Sequence, residues 1–201
     1  MRSRRRNPRG EGSRLREEIV DAAVRLIDAG GPERVTLRGV AREAGISAPS
    51  IYDHFADPAE ILAAVLERFL GQLEVHIRAA IDQHTDPVDQ LLAGCEAYLT
   101  FSDQYPPRYA FLFRYEPDSD TEIPHEPAPG EAEPFEVLVG GITDCVNAGR
   151  SASTDPWADA CAVWSALHGY AGLRASIPEF PWPAHQEMLE RIVRGLARIV
   201  D

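Results

Sequence analysis

The 201-residue sequence contains no lysine; its 20 basic residues besides histidine are all arginine. That absence reads as a bias of genomic composition and carries no functional meaning by itself. Cysteine is scarce. Cys95, Cys145 and Cys161 are odd in number and widely spaced, which excludes a zinc or disulfide framework and leaves buried, reduced thiols as the expectation. No apolar run approaches the ~18–20 residues needed to span a bilayer. The basic N-terminus has no apolar stretch behind it, unlike a secretory signal, so a cytoplasmic protein away from membranes is expected. Also missing are a glycine-rich phosphate loop, a nucleophile elbow and a close pair of metal-binding histidines. His76 and His84 stand eight apart on one expected helix, too far to share an ion. No enzyme, cofactor or metal site is therefore expected. Strand alternation and repeats of 20–50 residues are absent too.

What is present is charge, unevenly placed. The net charge is −12. Residues 1–58 nevertheless hold 11 Arg against 9 acids, and residues 59–201 hold 9 Arg against 23 acids. Seven of the arginines lie in the first sixteen residues. Attraction to phosphate follows local charge, so a basic head on an acidic body is compatible with nucleic acid. Residues 1–12 read as a flexible basic arm that could lie along DNA.

From Ser13, which is placed to cap it, a helical pattern runs through Leu15, Ile19, Ala22, Ala23, Leu26 and Ile27 to Gly30-Gly31. A short helix is expected over 37–44 with Thr36 as N-cap, and another over 48–55 capped by Ser47. Pro49 is tolerable in a first turn. Asp57 then caps a long helix from Pro58 whose apolar face runs from Ile61 to Ile77. Further helices are expected over 87–101, 106–113, 134–148, 156–176 and 184–200. Residues 115–134 are rich in proline and acid and read as a loop.

In TLRGVAREAGISAPSIYDHFADPAEI, residues 36–61, the apolar set Val40, Ala41, Ala44, Ile46, Ile51 and Phe55 can form the shared core of two helices crossing steeply. Gly45 supplies the tight turn between them. Thr36, Arg38, Ala48, Pro49, Ser50, Tyr52 and His54 remain for the other face, with Ser47 beside them. In a helix-turn-helix the second helix enters the major groove and its early residues meet the bases.

This stretch, with the helix before it, resembles the TetR family of transcriptional regulators. The Thr-Leu-Arg start, the Val-Ala-x-x-Ala-Gly-Ile-Ser turn and the Ile-Tyr-x-His-Phe ending carry the likeness over about residues 15–70. The resemblance implies an all-α chain. An N-terminal three-helix DNA-binding domain, 13–57, is joined by a long helix to a helical effector-binding and dimerisation domain, 58–201. It implies phosphate contacts from the Thr36 hydroxyl and amide and from Arg38, which could also reach a base. Base and shape contacts fall to Ala48, Pro49 and Ser50, and phosphate clamps to Tyr52 and His54. Family members commonly carry a lysine just after the phenylalanine; Ala56-Asp57-Pro58 stands there instead, so one phosphate contact is expected to be missing. The arginine arm is a candidate to compensate.

Two later pieces, Tyr105–Phe113 and Trp164-Ser-Ala-Leu-His168-Gly169, resemble a subgroup of that family named for a Trp-His-Gly signature. Trp164 and His168 share a helix face. They read either as core or, with Phe101, Tyr105, Tyr109 and Phe113, as walls of a pocket for a small, largely apolar effector. Leu189, Ile192, Leu196 and Ile199 recur at close to 3.5-residue spacing, the period of lengthwise helix packing, and the family implies a four-helix dimer seam there. The expected function is a regulator of double-stranded operator DNA, a homodimeric repressor released by its effector. The alternative is a non-specific DNA-binding or protein-interaction module without effector control.

Overall fold

A computed structural model of the chain describes residues 11–114 and 134–200. The side chains of 11, 12, 113 and 114 lie outside that description, as do the basic arm over 1–10 and nearly all of the proline-rich loop. Eight helices are present among the described residues: α1 Glu11–Gly30, α2 Leu37–Ala44, α3 Pro58–Ile81, α4 Pro87–Gln104, α5 Pro106–Arg114, α6 Pro134–Asn147, α7 Pro156–Ser176 and α8 His185–Leu196. Short 3-10 turns at Pro32–Arg34 and Ala48–Ser50 separate α1, α2 and α3. The one strand-like feature described is an isolated antiparallel bridge between Ser151 and Ile199. The chain is thus all-α, and none of its described helices is long and apolar enough to cross a membrane.

Close Cα packing divides the chain into two compact units, Met1–Phe69 with Pro107–His125, and Leu70–Pro106 with Glu126–Asp201. The division falls inside α3, whereas the sequence suggests its start. In the first unit α1 contributes Ile19, Val20, Ala22, Ala23, Leu26 and Ile27 to the core, and α3 contributes Ile61, Val65 and Phe69. The rings of Phe69 and Phe111 meet edge to face at 5.8 Å. Arg108 of α5 forms a two-pronged pair with Asp28 of α1, at 2.9 and 2.7 Å. Arg68 of α3 is held by Glu17 and Asp21 of α1. α1 begins at Glu11, so Ser13 lies inside the helix and not at its cap.

In the second unit, Val88, Leu91, Cys95, Tyr98 and Leu99 of α4 are buried, together with Ile142 and Cys145 of α6, Val163 and Leu167 of α7, and Leu189 and Val193 of α8. Asp86 caps α4 by accepting from the Val88 and Asp89 amides at 2.9 and 3.2 Å, and Arg150 donates to it at 2.8 Å. Burial pushes its carboxyl pKa up, but the two amides and the guanidinium outweigh that, so it lies below the ordinary value.

The helix expected over 184–200 stops at Leu196. Arg198 takes a left-handed φ of 52°, and the Ile199 amide reaches back to the Arg194 carbonyl at 2.9 Å, the wrap-around bond of a Schellman cap. The tail then pairs with residues 150–152 through Ala152 N to Arg198 O and Val200 N to Arg150 O, both 2.9 Å. Those pairings, together with an ion pair from Arg198 to the buried Asp159 at 3.2 Å, hold a conformation that arginine seldom adopts.

Candidate nucleic-acid interface

The surface built by residues 36–57 begins at the N-terminus of α2. The Thr36 side chain accepts from the Gly39 amide at 3.0 Å, which leaves its hydroxyl proton free to be donated outward. The Thr36 amide is committed to the Arg34 carbonyl at 3.0 Å. The expectation that this amide also serves a phosphate is therefore corrected; the first-turn amides of Leu37 and Arg38, which lack intrahelical acceptors, are the open donors. Arg38 is exposed.

Gly39 was missed by sequence reasoning. A Cβ there would lie 2.8 Å from the Arg34 carbonyl oxygen and 3.0 Å from Thr36 Oγ1, so the cap closes only over a residue without one. The signal available was a glycine three residues after an N-cap threonine. At the other end of α2, Gly45 has φ 69° and its amide bonds back to the Ala41 and Arg42 carbonyls. That left-handed turn, expected from sequence, aims the next element across α2.

The next element is tighter than the expected helix over 48–55. Ser50 N to Ser47 O (2.9 Å) and Ile51 N to Ala48 O (3.1 Å) are three-residue closures, and His54 N to Ile51 O (2.8 Å) is another. Only Phe55 N to Ile51 O, at 2.9 Å, has α spacing. The segment is short, Pro49 supplies no amide, and Pro58 biases the residue before it away from helix. Ser47 does not cap by its side chain; its hydroxyl instead pairs with that of Ser50 at 2.7 Å. Ile51 and Phe55 are buried. Ser47, Pro49 and Tyr52 are exposed, Tyr52 to 60%, while Ala48, Ser50 and His54 are half-buried.

Two contacts tie α1 to this unit, one to the turn and one to α2. The Arg16 guanidinium of α1 sits 4.8 Å above the Phe55 ring. Arg25 of α1 bonds Glu43 of α2 at 2.7 Å. Asp57 caps α3 through the Glu60 amide at 3.0 Å, and the Glu60 carboxylate reaches back to the Ala56 amide at 2.7 Å.

In the second unit the structure brings Trp164 and His168 of α7 together, with ring centroids 4.8 Å apart. It adds Tyr98 of α4, whose hydroxyl lies 2.9 and 3.1 Å from the two imidazole nitrogens. Burial pushes the His168 pKa down to about 4, so the ring is neutral at physiological pH. Phe135 of α6 packs on Trp164 at 5.7 Å and on Trp157 at 4.9 Å. Tyr98, Phe135 and Trp157 were not foreseen; Tyr98 is hidden in sequence as one more member of an apolar stripe. Phe101 is buried and Tyr105, at the end of α4, lies 5.2 Å from it. Tyr109 is a half-buried member of the first unit. The Phe113 side chain lies outside the described residues.

The stripe read as a dimer seam is not uniformly exposed. Leu189 is 2% exposed, buried in its own chain beside Val193 and Ala197, because the inward repeat of α8 is 189, 193, 197. Ile199 lies beyond the helix, in the bridge to Ser151. Ile192 is half-buried and Leu196 is 37% exposed.

Residues 91–196 match the tetracyclin repressor-like C-terminal domain, and residues 19–65 match the bacterial regulatory proteins of the tetR family. Among curated relatives, the HTH-type transcriptional activator FasR of Mycolicibacterium smegmatis is 30% identical over 70% of this chain and 59% of its own length. The HTH-type transcriptional regulator HbdR of Aromatoleum sp. is 34% identical over 44% of this chain and 38% of its own. The chain thus spans less than two thirds of the length of these relatives. A solved protein with unknown function from Rhodococcus sp. RHA1 shares the fold at TM-score 0.77 and 23% identity, covering 96% of this chain and 98% of that one.

Proposed function

The chain belongs to the TetR family of bacterial regulatory proteins, and on that premise we propose that it is a sequence-specific DNA-binding transcriptional regulator, homodimeric and cytoplasmic. One observation carries the reading. The crossed pair of α2 and the 48–55 turn buries Val40, Ala41, Ile51 and Phe55 while leaving Thr36, Arg38, Ser47, Pro49 and Tyr52 exposed. Hydroxyls and a guanidinium suit phosphate, and the small Ala48-Pro49-Ser50 tip allows close approach to base edges. Selection of bound sites from random duplex DNA tests this. The expected result is one enriched, two-fold-related motif; recovery of random sequence would reject specific recognition.

Repression with release by a small effector is the regulatory mode proposed, supported by the repressor-like C-terminal match. The Trp164–His168–Tyr98 group offers aromatic walls and a neutral hydrogen-bonding centre to a largely apolar ligand. Coupling must be reciprocal: an effector that loosens operator DNA must itself bind more weakly when operator is present. Titrating Trp fluorescence with and without operator measures it, and equal affinities in both conditions would reject this role for that ligand. The homodimer is proposed to pair through α7 and α8, where Trp164 and Leu196 stand exposed.

A further inference from the structure

The contact between Ser47 and Ser50 joins the two hydroxyls that flank Ala48 and Pro49 at the tip of the candidate recognition turn. Their oxygens are 2.7 Å apart, and either can be the donor. A hydroxyl has one proton and two lone pairs. Within the pair one proton is consumed, so together the two serines offer a single outward proton, from Ser47 or from Ser50 but not from both. Ser47 is exposed and Ser50 half-buried.

We propose that Ser47 and Ser50 read DNA as one coupled unit, in which Ser47 donates to a phosphate and thereby fixes Ser50 as an acceptor that selects an amino-bearing base. This rests on the DNA-binding reading above. A phosphate oxygen only accepts, so Ser47 must turn its proton outward to engage one. The Ser50 proton then fills the vacated bond to Ser47 Oγ, and Ser50 faces the groove with lone pairs alone. In the major groove an acceptor is matched by the exocyclic amines of adenine N6 and cytosine N4, and opposed by the keto oxygens of guanine O6 and thymine O4. The turn keeps this arrangement in place, because the Ser50 amide is bonded to the Ser47 carbonyl at 2.9 Å and Pro49 restricts the backbone between them.

The test is selection from random duplex DNA with the full-length wild-type protein, Ser47→Ala, Ser47→Thr, Ser50→Ala and the double alanine variant. Circular dichroism confirms that each is folded. Wild type should favour adenine or cytosine over guanine or thymine at one position of each half-site, by about fivefold for a contact of ~1 kcal/mol. Ser47→Ala frees the Ser50 proton to donate, so the same position should lose its preference although Ser50 is intact. Ser47→Thr keeps the hydroxyl and should keep the preference. Ser50→Ala and the double variant should be equally unselective there. If Ser47→Ala retains the amino-base preference while Ser50→Ala loses it, the coupling is wrong and the DNA-binding reading stands. If wild type enriches no site, the DNA-binding reading itself falls, and this inference with it.

Discussion

At the scale of single residues, two positions have consequences larger than their side chains suggest. Gly39 lets the Thr36 cap close against the Arg34 carbonyl. A methyl there would stand 2.8 Å from a backbone oxygen, which cannot move aside as a flexible side chain could. Gly39→Ala is expected to destabilise the protein by about 1–3 kcal/mol and to weaken DNA binding, because the N-terminus of α2 must shift. Denaturant unfolding measures it, and an unchanged midpoint would show that this end of α2 yields freely. His168 is the second. Its pKa falls from 6.5 to about 4 through burial, so the unfolded chain binds a proton that the folded one refuses. Stability should be full above about pH 6.5 and decline as pH falls toward 4. The loss should be about 2 kcal/mol once solvent screening is allowed for. His168→Gln cannot titrate and should flatten that limb; a wild-type stability curve level over the same window would show that the ring is not desolvated in solution.

Elements in this chain are set as much by their ends as by their interiors. Asp57, Asp86 and Asp155 each cap a helix that opens on proline, accepting from an amide two or three residues on. That pattern is local, and it marks the starts of α3, α4 and α7. The end of α8 is different. Nothing local stops a helix between Leu196 and Val200, and arginine is a poor left-handed residue. The stop is imposed by the pairing with residues 150–152 and by Arg198 reaching Asp159, whose side chain is only 11% exposed. Asp159 Oδ2 has no better-aligned hydrogen-bond donor among the described residues. Arg198→Ala should therefore leave a buried acid without its cation and lower stability by about 1–3 kcal/mol. Arg198→Ala combined with Asp159→Asn should recover part of it. If the single variant is as stable as wild type, the ion pair is not what holds the tail.

At the scale of the whole molecule, the proposed dimer turns on the outer side of α8. Leu196→Glu would set two like charges into an apolar seam, and sedimentation should then show monomers at concentrations where wild type is dimeric. Leu189→Glu would instead unfold the chain, since Leu189 is 2% exposed in its own protomer. A folded, dimeric Leu196→Glu protein would move the seam elsewhere. That contrast shows where reading the sequence stops. The all-α class, the turn at Gly45, the caps at Thr36 and Asp57 and the exposure of Pro49 and Tyr52 were legible, because 3.6-residue periodicity, capping and glycine geometry act over a few neighbouring residues. Which side of α8 faces inward was not. A 3.5-residue stripe and a 3.6-residue stripe diverge little over three turns, and only packing against α4 and α7 selects 189, 193 and 197. The replacement of a helix by a 3-10 turn with a hydroxyl pair was likewise undetermined, since a short segment containing proline lies near balance between the two forms. So too was the partnership of Tyr98 with His168, 70 residues apart. Local hydrogen bonding and periodicity decide the elements; which polar tips meet inside them depends on how helices distant in sequence pack, and only the tertiary structure decides that.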